Sequence, residues 1–93
     1  MQANYQYPLP EGITTAELIK VTDFYQQVER LYESHCDRAT FLAAYQAFKT
    51  VIPSKAEEKQ LDRDFQKESG YSIYRAVKFV QTHQRKQLKY TDA

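Results

Sequence analysis

Apolar side chains recur at three- and four-residue steps along most of this chain, the period of a helix with one buried face. The first run is Leu18, Val21, Phe24, Tyr25, Val28, Leu31 and Tyr32, with Thr22, Asp23, Gln26, Gln27, Glu29, Arg30 and Glu33 on the other side. Thr14 and Glu17 have the spacing of a capping box, and Ile13 and Leu18 that of a hydrophobic staple. The pattern predicts a helix over roughly 15–34. Asp37 offers the next cap, and Phe41, Leu42, Tyr45 and Phe48 carry the period to the stop at Pro53, predicting 38–51.

Ser54 and Glu57 repeat the capping-box spacing, and Gly70 is a natural terminator, so a third helix is expected over 55–69. Its apolar stripe is thin, Leu61 and Phe65 with help from Ala56. Lys55, Lys59, Arg63 and Lys67 form one row beside Glu58 and Asp62. A helix so polar belongs on the outside. The fourth is predicted over 73–88, capped by Ser72, with Ile73, Ala76, Val77, Val80 and Leu88 buried. Residues from Tyr90 onward are expected to fray. Ahead of the first helix, residues 1–13 read as an extended arm, because Pro8 and Pro10 forbid a helix and Tyr5, Tyr7 and Leu9 alternate. Docking of Tyr7 and Leu9 on the body is one reading of the arm; a mobile segment meeting a partner is the other.

The expectation is a single all-α domain over 1–93, a compact irregular array of four helices with antiparallel neighbours. Its candidate core is Leu18, Val21, Phe24, Tyr25, Val28, Leu31, Phe41, Leu42, Tyr45, Phe48, Leu61, Phe65, Val77 and Val80. Composition agrees. Ninety-three residues leave no room for a second core, and 2 glycines and 3 prolines are too few for the turns of an all-β domain. The 14% of aromatic residues offsets the small size, since each buries a large area.

Charge changes the picture locally. Overall the chain is near neutral at +1, which excludes binding by bulk charge. Yet residues 1–37 hold six acids and two bases, and residues 69–93 five bases and one acid. Those bases, Arg75, Lys78, Arg85, Lys86 and Lys89, gather on one side of the predicted fourth helix, with Tyr74 at its margin. These six are the candidate partner-binding residues, tyrosine and arginine being common interface anchors. An unidentified acidic protein partner is one use of this face, weak sequence-independent nucleic-acid binding a second, and an ordinary solvated side a third. A homodimer also stays open, because the acidic N-terminal third complements the basic C-terminal third.

Reactive chemistry finds little support. His35 and Cys36 are adjacent and His83 is the only other histidine, short of the four ligands of a structural zinc site. Cys36 is read as a small apolar filler. Glu57, Glu58, Asp62, Asp64 and Glu68 are interleaved with lysine and arginine, which points to a charge lattice along the helix. No phosphate loop, nucleophile elbow or HExxH occurs. The expectation is a non-enzyme without catalytic residues, metal or cofactor. A single cysteine fits a reducing compartment, and neither a membrane-length apolar run nor a signal sequence is seen, so a cytoplasmic location without membrane contact is expected.

Three runs carry a family resemblance: Tyr5 to Leu9, Val51 to Leu61 (VIPSKAEEKQL) and Glu68 to Val77 (ESGYSIYRAV). They resemble the uncharacterised protein family numbered 0223 of Gram-positive bacteria, over Tyr5 to about Lys78. Ile13 departs from the tryptophan expected in relatives. The resemblance implies an all-helical fold and a cytosolic bacterial protein, and supplies no activity and no catalytic residue. Pro53-Ser54 and Gly70-Tyr71-Ser72 read as corner chemistry. Arg75 is placed to pair with Glu68 or Asp64 across the second corner.

Overall fold

The computed structural model describes residues 6–91. Helix α1 spans Thr15–Glu33, β1 Cys36–Asp37, α2 Arg38–Val51, α3 Lys55–Ser69, α4 Ile73–Thr82 and β2 Gln87–Leu88. Each helix starts where the sequence offers an oxygen. Thr14 Oγ1 accepts from the Glu17 amide while Glu17 Oε1 accepts from the Thr14 amide, closing the box. Asp37, Ser54 and Ser72 accept from the amides of Thr40, Glu57 and Arg75. Helix α3 stops at Gly70, whose φ of 84° suits a residue without a Cβ.

Helix α1 is the centre of the fold. Its Val21, Phe24, Tyr25, Val28 and Leu31 are fully buried against Phe41 and Phe48 of α2, Phe65 of α3 and Ala76 and Val80 of α4. Phe24 meets Phe48 at 4.7 Å between ring centroids and Phe41 edge-on at 5.6 Å, and Tyr25 stacks on Phe65 at 4.7 Å. Such contacts contribute roughly 0.5–1.5 kcal/mol each beyond the area they bury. Of the expected core, Leu18, Leu42 and Tyr45 are only half-buried. Ile52, left out of that expectation, is buried just ahead of Pro53.

The fold is all-α apart from one short ladder, and that ladder corrects the fourth helix. Helix α4 ends at Thr82, short of the predicted 88. Arg38 Nε donates to the carbonyls of Val80 (3.0 Å) and His83 (2.9 Å), taking acceptors that a terminating helix leaves open. The His83 ring stacks on Phe79 with centroids 3.9 Å apart. The chain then turns back. The Arg38 amide donates to the Lys86 carbonyl, and β2 runs antiparallel to β1 with Leu88 opposite Cys36. Leu88 is therefore buried from a strand. Tyr90, expected to fray, is held by its amide on the Leu31 carbonyl and by its ring against Tyr32.

Residues 6–10 form no regular element. Tyr7 packs on Tyr25 at 5.2 Å and donates to Glu29 Oε1 at 2.8 Å; Tyr25 in turn donates to the Pro8 carbonyl at 2.7 Å. Leu9 remains largely exposed. The expectations for Tyr5 and Asp92 lie outside the described residues.

Candidate partner-binding surface

The first turn of α4 is fixed from two sides. Ser72 caps it locally, and Asp62 reaches across from the middle of α3. Asp62 Oδ1 accepts from the Ile73 amide (2.7 Å) and Oδ2 from the Tyr74 amide (3.3 Å), so the carboxylate meets the positive end of the helix. One turn earlier on α3, Glu58 accepts from Lys49 Nζ at 2.5 Å and from Tyr45 OH at 3.1 Å, both on α2. Burial, reinforced by the Glu58 charge, pushes the Tyr45 hydroxyl up to about 12. These two acids bridge helices, which the lattice reading along α3 did not anticipate.

Between α3 and α4 runs a groove of about 370 Å³. Lys55 and Lys59 stand on one wall, Tyr74 and Lys78 on the other, with Ile73 and Val77 between them. Tyr74 is 64% exposed although it sits on a pinned helix, and Lys78 Nζ lies 5.8 Å from its ring centroid. Among the described residues the one ion pair is Lys49–Glu58, so none of the three groove lysines is in a direct ion pair.

Of the six residues singled out from sequence, only Tyr74 and Lys78 meet here. Arg75 lines a separate hollow of about 270 Å³ with Tyr32, Tyr71 and Tyr90. No ion pair among the described residues joins it to Glu68 or Asp64. In that hollow Tyr32 OH donates to the Ser72 carbonyl at 2.9 Å, and Tyr71 OH donates to Glu33 at 2.6 Å. Burial first of all raises both hydroxyls to about 12. Arg85 and Lys86 lie past the end of α4, and Lys89, beyond β2, donates to the Tyr32 carbonyl at 3.3 Å. The single basic helix face is thus not formed, because α4 ends at Thr82, ahead of Arg85, Lys86 and Lys89. Sequence reasoning missed the contribution of Lys55 and Lys59; their four-residue spacing was visible, but which neighbour they face is a tertiary matter.

Cys36 is buried, its thiol donating to Gln27 Oε1 at 3.2 Å, and burial pushes its pKa up to about 11. That suits the filler role. No three His, Cys, Asp or Glu residues come together to hold a metal among the described residues. No helix among them is long and apolar enough to cross a membrane.

A family sequence model described as Uncharacterised protein family (UPF0223) matches residues 4–89, almost the whole chain. The chain belongs to this family. A UPF0223 protein of Lactiplantibacillus plantarum is 51% identical over 89 residues, covering 96% of this chain and 92% of the relative. One from Lactococcus lactis subsp. cremoris is 52% identical over 81 residues, 87% of each chain. One from Staphylococcus aureus is 43% identical over 83 residues, covering 89% of this chain and 91% of its own length. The resemblance read from the Val51–Leu61 and Glu68–Val77 runs therefore holds. UPF0223 membership assigns no activity, so the surface geometry carries the functional argument.

Proposed function

We propose that this protein is a non-enzymatic, cytoplasmic protein-interaction module whose contact surface is centred on Tyr74 and Lys78. The observation that carries it is the large exposure of Tyr74 on a helix turn held by Asp62 and Ser72. An aromatic side chain has few rotatable bonds to fix, and one carried on a held backbone loses little freedom on binding, which is what makes tyrosine an effective anchor. The non-enzymatic half of the reading draws on the titrating groups. Tyr25, Tyr32, Tyr45, Tyr71 and Glu29 have shifted pKa values, and each has a hydrogen-bond partner inside the protein.

The test is quantitative affinity capture from a Gram-positive cell with the native chain, Tyr74→Ala and Lys78→Glu. Loss of the same co-purifying protein from both variants is expected; equal recovery on all three baits refutes the surface. Nucleic-acid binding through this region is the competing reading. Helix α4 carries only Arg75 and Lys78 of the expected basic set, too few for a strip of phosphate contacts. Recovery of RNA in place of protein, lost in Lys78→Glu, would favour it.

A further inference from the structure

The groove beside Tyr74 has a charge pattern that specifies its occupant. Its ionisable lining is Lys55, Lys59 and Lys78 against Glu58 and Asp62. The two acids are already engaged, Glu58 by Lys49 and Tyr45, Asp62 by the first amides of α4. Lys49 lies outside the lining and offsets Glu58 from there, so three lysines stand against the one remaining carboxylate charge of Asp62 and the lining is net positive. Like charges brought together repel, and a partner carboxylate relieves that repulsion as well as adding its own attraction.

We infer that the α3–α4 groove takes an acidic peptide segment of another protein, carboxylates on Lys55, Lys59 and Lys78 and one apolar or aromatic side chain against Tyr74. This rests on the interaction reading above and names its partner chemistry. The volume of about 370 Å³ falls at the small end of the roughly 300–1,000 Å³ of small-ligand clefts, room for a short segment only. Lys55 and Lys59 are one helical turn apart, about 6 Å of rise, which matches carboxylates spaced at i and i+4 on a helix or i and i+2 on a strand. The Lys78 ammonium lies over the Tyr74 ring at 5.8 Å from its centroid, so the positive charge and the aromatic face are offered together.

The test is a random-peptide display selection on the full chain, followed by fluorescence-polarisation titration of the selected peptides. Acidic enrichment with at least one aromatic or aliphatic position is expected. Affinity should fall about tenfold in Lys55→Glu/Lys59→Glu and in Lys78→Glu, and weaken several-fold between 50 and 300 mM salt. All these positions are exposed, and circular dichroism will show that the variants stay folded. Peptides without acidic enrichment that still need Tyr74 overturn the partner chemistry and leave the interaction reading standing. Peptides indifferent to Tyr74→Ala and to every lysine reversal overturn both. No binder above background, tighter binding of an RNA oligomer to the same lysines, or a salt-sensitive dimer abolished by Lys55→Glu/Lys59→Glu each overturns the acidic-peptide assignment.

Discussion

Asp62 accepts the backbone amide of Ile73 at 2.7 Å, joining the middle of α3 to the first residue of α4. This bond, with its companion to Tyr74, sets the corner that presents the candidate surface. Removing it leaves two amides at the start of α4 to be satisfied by water. Asp62→Ala should lower stability by about 1–2 kcal/mol in urea denaturation. Asp62→Asn keeps one acceptor and should fall between. An Asp62→Ala protein as stable as the native chain would show the corner is held by packing alone.

Arg38 closes the other end of α4. Its guanidinium bonds to Val80 and His83, and its amide to Lys86. Arg38→Ala should cost about 1.5–3 kcal/mol, since the lost bonds come from a charged donor. Amide hydrogen exchange should accelerate at Arg38, Leu88 and Tyr90 while the amides of α1 keep their protection. Arg38→Lys should not restore it, because lysine has a methylene where the arginine Nε–H is shared between the two carbonyls. Unchanged exchange at Leu88 would mean the ladder stands without the arginine.

How far the sequence leads is clear from these two residues. The caps at Thr14, Asp37, Ser54 and Ser72 are local and could be read directly. The end of α4 could not. Leu88 lies eight residues after Val80, so the helical period runs through the break undisturbed, and the intervening glutamine, arginine and lysine residues favour helix. The side chain that takes up the carbonyls at the helix end lies more than forty positions away, invisible to any local pattern. The candidate surface divides in the same way. Tyr74 and Lys78 share a helix and were legible. Lys55 and Lys59 join them only because α3 packs against α4. Arg85, Lys86 and Lys89 fell away once the helix was shorter.

The arm carries a pH response. Partial burial, helped by the Glu33 charge, raises Glu29 from 4.5 to about 7, and Tyr7 donates to it. An acid whose folded pKa is raised contributes stability fully below the unfolded value and loses it as pH rises through the folded one. Melting temperature should therefore decline between about pH 4.5 and 7 through this group. Glu29→Gln, which still accepts from Tyr7, should match the native chain near pH 4.5 and exceed it slightly at pH 8. The margin is small because the carboxyl is partly exposed. A native chain more stable than Glu29→Gln at pH 8 would contradict this account.

Cys36 reports on the ladder. With its thiol buried and raised to about 11, it should react with a disulfide reagent at pH 8 far more slowly than a free thiol. Arg38→Ala should speed the reaction by loosening β2 against β1. Prompt labelling of the native chain would place Cys36 at the surface.

The most direct measurement replaces Tyr74 with a photo-crosslinking phenylalanine derivative, which keeps the aromatic anchor, in the full chain in living cells, with position 46 of α2, also exposed, as control. The account predicts a discrete protein adduct from position 74 that disappears with Lys78→Glu and is not formed from position 46. No adduct at 74, or the same adduct from both positions, would contradict it.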